Sequence, residues 1–173
     1  MSLAYSGYES AVVGVAIDML AASGSWRAAV GATTSTAAKA RIVEGDGGAA
    51  GDVPRGSMIN CLGDLVAIAG VRAMVTSSGI ESDDSQAIGH VAHRGSVEIL
   101  IVVPPTPGDA PPERMRRARN LCGLIRDEMQ AAVGGPGAFA HAHIDLSAAE
   151  IIDDAPAVRD VVATTITIHW RTP

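Results

Sequence analysis

Two segments of the chain place apolar residues at the three-to-four-residue spacing of an amphipathic helix. In the first, residues 6–24, Ser6 and Glu9 form a capping box and Gly24 fits a C-terminal stop. Gly14 lies inside this segment, where a glycine costs about 1 kcal/mol relative to alanine, so we expect a closely packed neighbour there. The second segment, 113–133, follows a proline pair and carries one apolar stripe: Met115, Ala118, Leu121, Cys122, Ile125, Met129 and Ala132. We predict two principal helices and a short helical turn from Thr36 to Ile42.

Strand patterns occupy most of the remaining apolar positions. Residues 71–76 alternate, and residues 87–103 suggest a hairpin with its turn at 94–96. The run 99–103 is apolar without alternation, as in a strand that is covered on both faces or lies in an interface. Residues 138–146 suggest a further strand. The strongest alternation is at 162–170, which places these residues on one face: Val162, Thr164, Ile166, Ile168 and Trp170.

The order helix, loop, strands, helix, strands predicts an α+β fold with a mainly antiparallel sheet and both principal helices on one face. We expect a single domain over residues 1–173, with mobile loops near 44–56, 77–86 and 104–112. The segment 147–160 is predicted to be a polar connection.

Composition narrows the classes of protein. Hydrophobic residues make up 47% of the 173 residues but aromatic residues only 3%, so the core must be aliphatic and would gain burial from assembly. The net charge of −6 argues against a general nucleic-acid binder. Cys61 and Cys122 form no C-x-x-C pair, and we expect buried thiols in a reducing compartment. No leader peptide or membrane-spanning run is apparent, so we expect a protein that is not secreted and has no membrane partner.

The stretch "AFAHAHIDL" puts His141, His143 and Asp145 on alternate residues. On a strand, such residues share one face and could bind a metal together with a fourth ligand. That ligand could be His90, His93 or His169. The simpler interpretation is a polar strand face opposite an apolar one. We favour it and predict no metal site, while the metal-binding alternative stays open.

Other catalytic patterns are weak. The carboxylate pairs at 83–84 and 153–154 lie in polar stretches without a predicted partner across a cleft. The glycine-rich segment 43–56 matches neither a P-loop nor a dinucleotide fingerprint, and neither G-x-S-x-G nor H-E-x-x-H occurs. We therefore expect no catalytic residues, no cofactor and no enzymatic activity.

A basic cluster opens the second principal helix: Arg114, Arg116, Arg117 and Arg119. Positive charge at a helix N-terminus opposes the helix dipole, so an acidic partner surface or passing DNA could compensate. The alternative is a solvated face screened by Glu113 and Asp109. Because Arg116 and Arg119 are three residues apart and share a face, they are the better pair to test.

Four segments together resemble the tail-terminator or tail-completion proteins of long-tailed bacteriophages and prophages. They are the N-terminal helix with "SWRAAVGATTSTAAKARI", the strand "HRGSVEILIVVP", the helix "RRARNLCGLIRDEM" and the closing strand ending in "ITIHWR". The likeness lies in the pattern and order of these segments. The loops at 44–56 and 77–86 do not align.

This resemblance implies a small α+β subunit of the virion tail or head–tail neck that performs no catalysis. It implies a homo-oligomeric ring, commonly a hexamer, that caps the tail tube and faces the head connector. Such a protein would reside in the virion, and in the host bacterial cytoplasm during assembly. Two other classes remain: an enzyme or metal-binding protein that uses His141, His143 and Asp145, and a small-ligand module with an apolar pocket near the second helix.

Overall fold

The computed structural model describes residues 8–44, 70–83, 92–133, 142–152 and 161–171. The helices of this part are α1 (Tyr8–Ala22), α2 (Gly24–Ala29), α3 (Ser35–Lys39) and α4 (Pro111–Ala132). The strands are β1 (Ile42–Glu44), β2 (Arg72–Asp83), β3 (Ala92–Val103), β4 (His143–Leu146), β5 (Glu150–Ile152) and β6 (Val161–Arg171). No helix among these residues is both long and apolar enough to cross a membrane.

All six strands belong to one sheet with the order β1-β2-β3-β6-β4, and β5 also pairs with β6. The β1–β2 pair is parallel, and the other pairs are antiparallel. The prediction of an α+β fold with a mainly antiparallel sheet is therefore confirmed.

The hydrophobic core lies between one face of this sheet and the two principal helices. The helices contribute Val12, Ala16 and Leu20 from α1, and Ala118, Cys122, Ile125 and Met129 from α4. The sheet contributes alternate residues of its long strands: Ala73, Val75, Val97, Ile99, Ile101, Val103, Val162, Ile166, Ile168 and Trp170. The alternation predicted for β6 is confirmed, since Thr164 is also buried on the same face. Both helices thus pack on one face, as predicted.

The central strand β3 is buried on its other face as well. Leu100 and Val102 point away from the core residues Ile99 and Ile101, yet both are almost fully buried. The prediction that 99–103 is covered on both faces is confirmed.

The predicted hairpin turn at Arg94–Ser96 is wrong. Residues 94–96 lie inside β3, where Gly95 is opposite Trp170 and Ser96 is opposite His169. Pairing with β6, more than seventy residues later, keeps this backbone extended. The hairpin is instead formed by β2 and β3.

Part of the loop predicted at 77–86 is also strand. Residues 77–83 continue β2, and its register with β3 shifts between Ser77 and Ile80. A bulge of this kind accommodates a polar, glycine-containing stretch within a ladder. Residues 84–86, like residues 45–56, lie outside the described residues. Between β3 and α4, residues 104–110 form the predicted loop, although Pro111 and Pro112 already belong to α4.

The N-terminal region contains more regular structure than predicted. Helix α1 ends at Ala22, and Gly24 begins α2 rather than ending the first helix, because Ser23 caps α2 by accepting a hydrogen bond from the Trp26 amide. Helix α3 ends at Lys39, and Ile42 already belongs to β1. Among the described residues, the close neighbour expected at Gly14 is absent, since a Cβ there would meet no atom within 4 Å outside the backbone of α1 itself. The predicted cap at Ser6 lies outside the described residues.

The connection predicted at 147–160 contains a further strand. Residues 150–152 form β5, whose backbone pairs with the first part of β6. A strand of three residues is too short to show an alternating pattern in the sequence. Its backbone is held in the extended conformation by pairing with β6.

Candidate functional site

The predicted basic cluster lies on the first half of α4, but its four arginines are not equivalent. Arg117 forms an ion pair with Asp109, at 2.5 Å between Nη1 and Oδ2, and its Nη2 donates to the carbonyl oxygen of Pro104 at 3.2 Å. Asp109 also accepts a hydrogen bond from the Thr106 amide. Arg117 therefore links the 104–110 loop to α4 through one ion pair and one hydrogen bond. Asp109 screens this one arginine, as the solvated-face interpretation expects.

Arg116 and Arg119 are exposed. Within the part of the chain that the structure describes, neither forms an ion pair or a side-chain hydrogen bond. Arg114 is half-buried and Met115 beside it packs against the core. The sequence-based choice of Arg116 and Arg119 as the pair to test thus coincides with the two arginines that point into solvent.

The start of α4 offers little compensation for this charge. Ala110 at the N-cap has no side chain that could cap the helix, and Glu113 is the one acidic residue of the first turn. A carboxylate there interacts favourably with the helix dipole, whereas Arg116 in the next turn does not. The solvent-facing positive charge is therefore available to a partner surface.

An apolar side chain continues this exposed face. Arg116, Asn120 and Leu124 recur every four residues and follow one line along the helix, which we call the outer face of α4. Leu124 is 57% exposed. In the sequence, Leu124 is an apolar residue that does not belong to the apolar stripe of this helix. That position is the signal that could have identified it as an exposed apolar residue.

The predicted polar strand face brings two histidines and one carboxylate together. His143 on β4 lies opposite His169 on β6. Nε2 of His143 is 2.9 Å from Oδ1 of Asp145, and Nε2 of His169 is 3.4 Å from Oδ2 of the same carboxylate. All three side chains are exposed, whereas Ile144 is buried, so the predicted alternation is confirmed for β4.

This cluster differs from the predicted set. His141 and His90 lie outside the described residues, and His169 takes the third position beside His143 and Asp145. Among the described residues, no group of three or more His, Cys, Asp or Glu side chains is arranged to hold a metal ion. The Asp145 carboxylate instead lies between the two imidazoles, with one oxygen directed to each.

A second polar cluster joins α4 to the N-terminal helices. The Glu128 carboxylate accepts hydrogen bonds from the Ser23 hydroxyl at 2.6 Å and from the Ser25 hydroxyl at 2.5 Å. The Ser25 amide also donates to it, at 3.2 Å to Oε2. These hydrogen bonds, with that of Ser23 the strongest, lower the pKa of Glu128 below its ordinary value. No sequence pattern indicates this cluster, because its members are more than 100 positions apart.

A cleft of about 430 Å³ adjoins this cluster, between α1, α2 and the end of α4. Val15, Met19 and Ala132 supply its apolar wall, and Asp18 and Glu128 supply carboxylates. Asp18 pairs with Lys39, and Glu128 is bound to the two serines. Both carboxylates are therefore already engaged by groups of the protein itself.

Cys122 is a core residue. Burial raises the pKa of its thiol to about 11. Since the thiolate is the reactive form, this thiol is a poor nucleophile near neutral pH. The predicted buried thiol is confirmed for Cys122, and Cys61 lies outside the described residues.

No protein-family model matches the sequence, and no curated protein matches it significantly. Among solved structures, the chain is similar to a protein chain in the virion of native gene transfer agent (GTA) particle. The two chains are 14% identical, with a TM-score of 0.45, and the match covers 98% of each.

Proposed function

We propose that this chain is a non-catalytic structural subunit of a phage or prophage virion. In this proposal it belongs to the tail or the head–tail neck and forms a homo-oligomeric ring that caps the tail tube. The tail tube on one side and the head connector on the other are its partners, and the exposed arginines provide for a passing contact with DNA.

The observation that carries the proposal is the position of the four segments that resemble tail-terminator proteins. They correspond to α1 to α3, β3, α4 and β6, and these elements supply most of the buried core. The resemblance therefore falls on the elements that define the fold, in the same order along the chain.

The surface supports the same proposal. Arg116, Arg119 and Leu124 point into solvent from a helix whose opposite side is packed on the sheet. Arginine is enriched at protein–protein interfaces, so Arg116 and Arg119 suit a contact region between subunits. The aromatic-poor core adds a reason for assembly, because a subunit with limited internal burial gains stability from its neighbours.

The decisive experiment deletes the gene from the phage or prophage that encodes it and inspects the particles by electron microscopy. We expect heads and tails that fail to join, or tails of abnormal length, and restoration by the gene supplied in trans. Mass spectrometry of purified wild-type particles should detect the chain. Normal, infectious particles that lack the chain would overturn the proposal.

A second candidate, kept from the sequence, is a metal-binding protein that uses His143 and Asp145, which lie 2.9 Å apart, although no described group of three ligands is arranged to hold a metal ion. Elemental analysis of the purified chain separates the two functions. A stoichiometric transition metal would support the second candidate, and its absence would support the structural one.

A further inference from the structure

The two large apolar side chains that are most exposed among the described residues lie on surface elements that also carry unpaired charges of opposite sign. Leu124, on the outer face of α4, is 57% exposed and lies two helical turns from Arg116. Ile151, in β5, is 48% exposed and follows the exposed Glu150. Glu128, one turn beyond Leu124 on the same line, is already hydrogen-bonded to the Ser23 and Ser25 hydroxyls. The unpaired charge of the outer face of α4 is therefore basic, and that beside Ile151 is acidic.

The acidic site lies at an edge of the sheet. β5 pairs with β6, and no other described strand pairs with it. An open edge exposes backbone hydrogen-bonding groups together with side chains from both faces of the strand. An element that lies along this edge can therefore contact Glu150 and Ile151 at the same time.

The charges at the two sites are available for pairing. Within the described ranges, neither Arg116 nor Glu150 has an ion-pair partner or a side-chain hydrogen bond. The whole chain carries a net charge of −6, so a basic helix face is complementary to much of another copy's surface.

We propose that the outer face of α4 in one copy docks onto the β5 edge of a second copy, with Leu124 against Ile151 and Arg116 against Glu150. This inference deepens the proposed function and rests on the self-assembly that it includes. The contact is heterologous, because each copy uses one site on one side and the other site on the opposite side. Repetition of such a contact closes a ring when the rotation between copies permits it.

Cysteine cross-linking of the full-length chain tests the pairing directly. The double variant Leu124→Cys/Ile151→Cys should give a ladder of disulfide-linked oligomers under mild oxidation, because each copy can link to two neighbours. Leu124→Cys alone and Ile151→Cys alone should give no ladder, and these variants control for the native cysteines. Ala28→Cys/Ile151→Cys, with an exposed cysteine on α2, is the matched control for position and should also give none.

Two results of the cross-linking would overturn the inference. One is the absence of a ladder from the double variant at the highest soluble concentration. The other is efficient dimer formation by Leu124→Cys alone, which would indicate a symmetric contact of α4 with itself.

A charge exchange provides an independent test by light scattering after size exclusion over a concentration series. Arg116→Glu should raise the concentration needed for half-assembly at least about tenfold, since it places like charges together. Adding Glu150→Arg should restore most of the loss. Thr36→Glu on α3 adds a negative charge elsewhere and should have little effect. Assembly that is unchanged in Arg116→Glu would overturn the inference.

Failure of this contact is distinguishable from failure of the proposed function. If the chain is required in virions but neither variant set behaves as expected, the inference is wrong and the structural role stands. If the ladder forms but particles develop normally without the chain, the contact is real and the virion role is wrong.

Discussion

The hydroxyl of Ser23 donates a 2.6 Å hydrogen bond to the carboxylate of Glu128, although the two residues are 105 positions apart. The same hydroxyl oxygen accepts the Trp26 amide and so caps α2. Glu128 thereby fixes the start of α2 against α4, while Trp26, fully buried, donates its indole N–H to the Ala38 carbonyl oxygen. One carboxylate thus connects α4 to the junction of α1 and α2 and, through Ser23 and Trp26, to α3.

Glu128→Gln should lower the free energy of unfolding and remove part of its pH dependence. The pKa of Glu128 is lowered in the folded state, so its contribution is complete above the ordinary glutamate pKa of about 4.3. It is lost as the pH falls through the lower, folded-state pKa. We expect the wild type to lose stability in this acidic window and the variant to lose less, in urea unfolding series at pH 7 and below pH 4.

The control for this prediction is Asp127→Asn, which changes an exposed neighbouring carboxylate that pairs with Arg126 across the surface. Such pairs contribute little, so its stability should follow the wild type. Ser23→Ala should cost about 1 kcal/mol, the usual value of an N-cap. Identical pH profiles for Glu128→Gln and the wild type would contradict the role of this carboxylate.

The arginines of α4 should separate into a structural one and solvent-facing ones. Arg117→Ala should lower the free energy of unfolding by about 1 kcal/mol, because it leaves Asp109 and the Pro104 carbonyl without their charged donor.

Arg116→Glu/Arg119→Glu should leave the monomer as stable as the wild type while it impairs assembly or partner binding. Thermal unfolding at low protein concentration measures the stability of both variants, and light scattering measures their assembly. Normal assembly of the doubly reversed chain would show that this pair is only a solvated face.

Local periodicity was sufficient for the elements whose pattern repeats over several turns. The apolar stripe of α4 and the alternation of β6 predicted both elements and their buried faces, because one core interface determines every residue along them. The α+β class then followed from their order.

Elements that depend on distant partners were not predictable in this way. Residues 94–96 and 77–83 look like turn and loop in composition, yet β3 and β2 pair there through backbone groups, which carry no side-chain pattern. The Ser23–Glu128 contact was not predictable either, because it joins two side chains that are 105 positions apart in the sequence. For the candidate site, the sequence identified Arg116 and Arg119, but the separate role of Arg117 required the position of the Pro104 carbonyl.

Gly14→Ala should stabilise the protein by about 0.5–1 kcal/mol. Gly14 is an exposed residue in the interior of α1, and a Cβ there would meet no atom of the described residues within 4 Å outside the helix backbone. Alanine therefore gains helix propensity without a clash. Gly31→Ala is the informative contrast, because Gly31 has a φ of 66° and an L-residue is strained there. Urea unfolding should show changes of opposite sign, and a loss of stability in Gly14→Ala would contradict the open environment of this position.

Cys122 should resist alkylation in the native protein. Its thiol is buried and its pKa is about 11, so almost none of it is thiolate at pH 8. Iodoacetamide followed by peptide mapping distinguishes Cys122 from Cys61. We expect modification of Cys122 only after unfolding in urea, at a rate similar to that of a free thiol. Rapid labelling of the native chain at Cys122 would contradict its burial.

Metal chelation should leave the melting temperature unchanged. A bound metal stabilises the folded state in proportion to its affinity, so its removal would lower the melting temperature by a measurable amount. His143, Asp145 and His169 are exposed, and the carboxylate already occupies the space between the two imidazoles. We expect equal melting temperatures with EDTA and with added Zn²⁺, and the same result for His143→Ala. An EDTA-induced decrease that is present in the wild type and absent in His143→Ala would favour the metal-binding function, because only a site that includes this imidazole produces that difference.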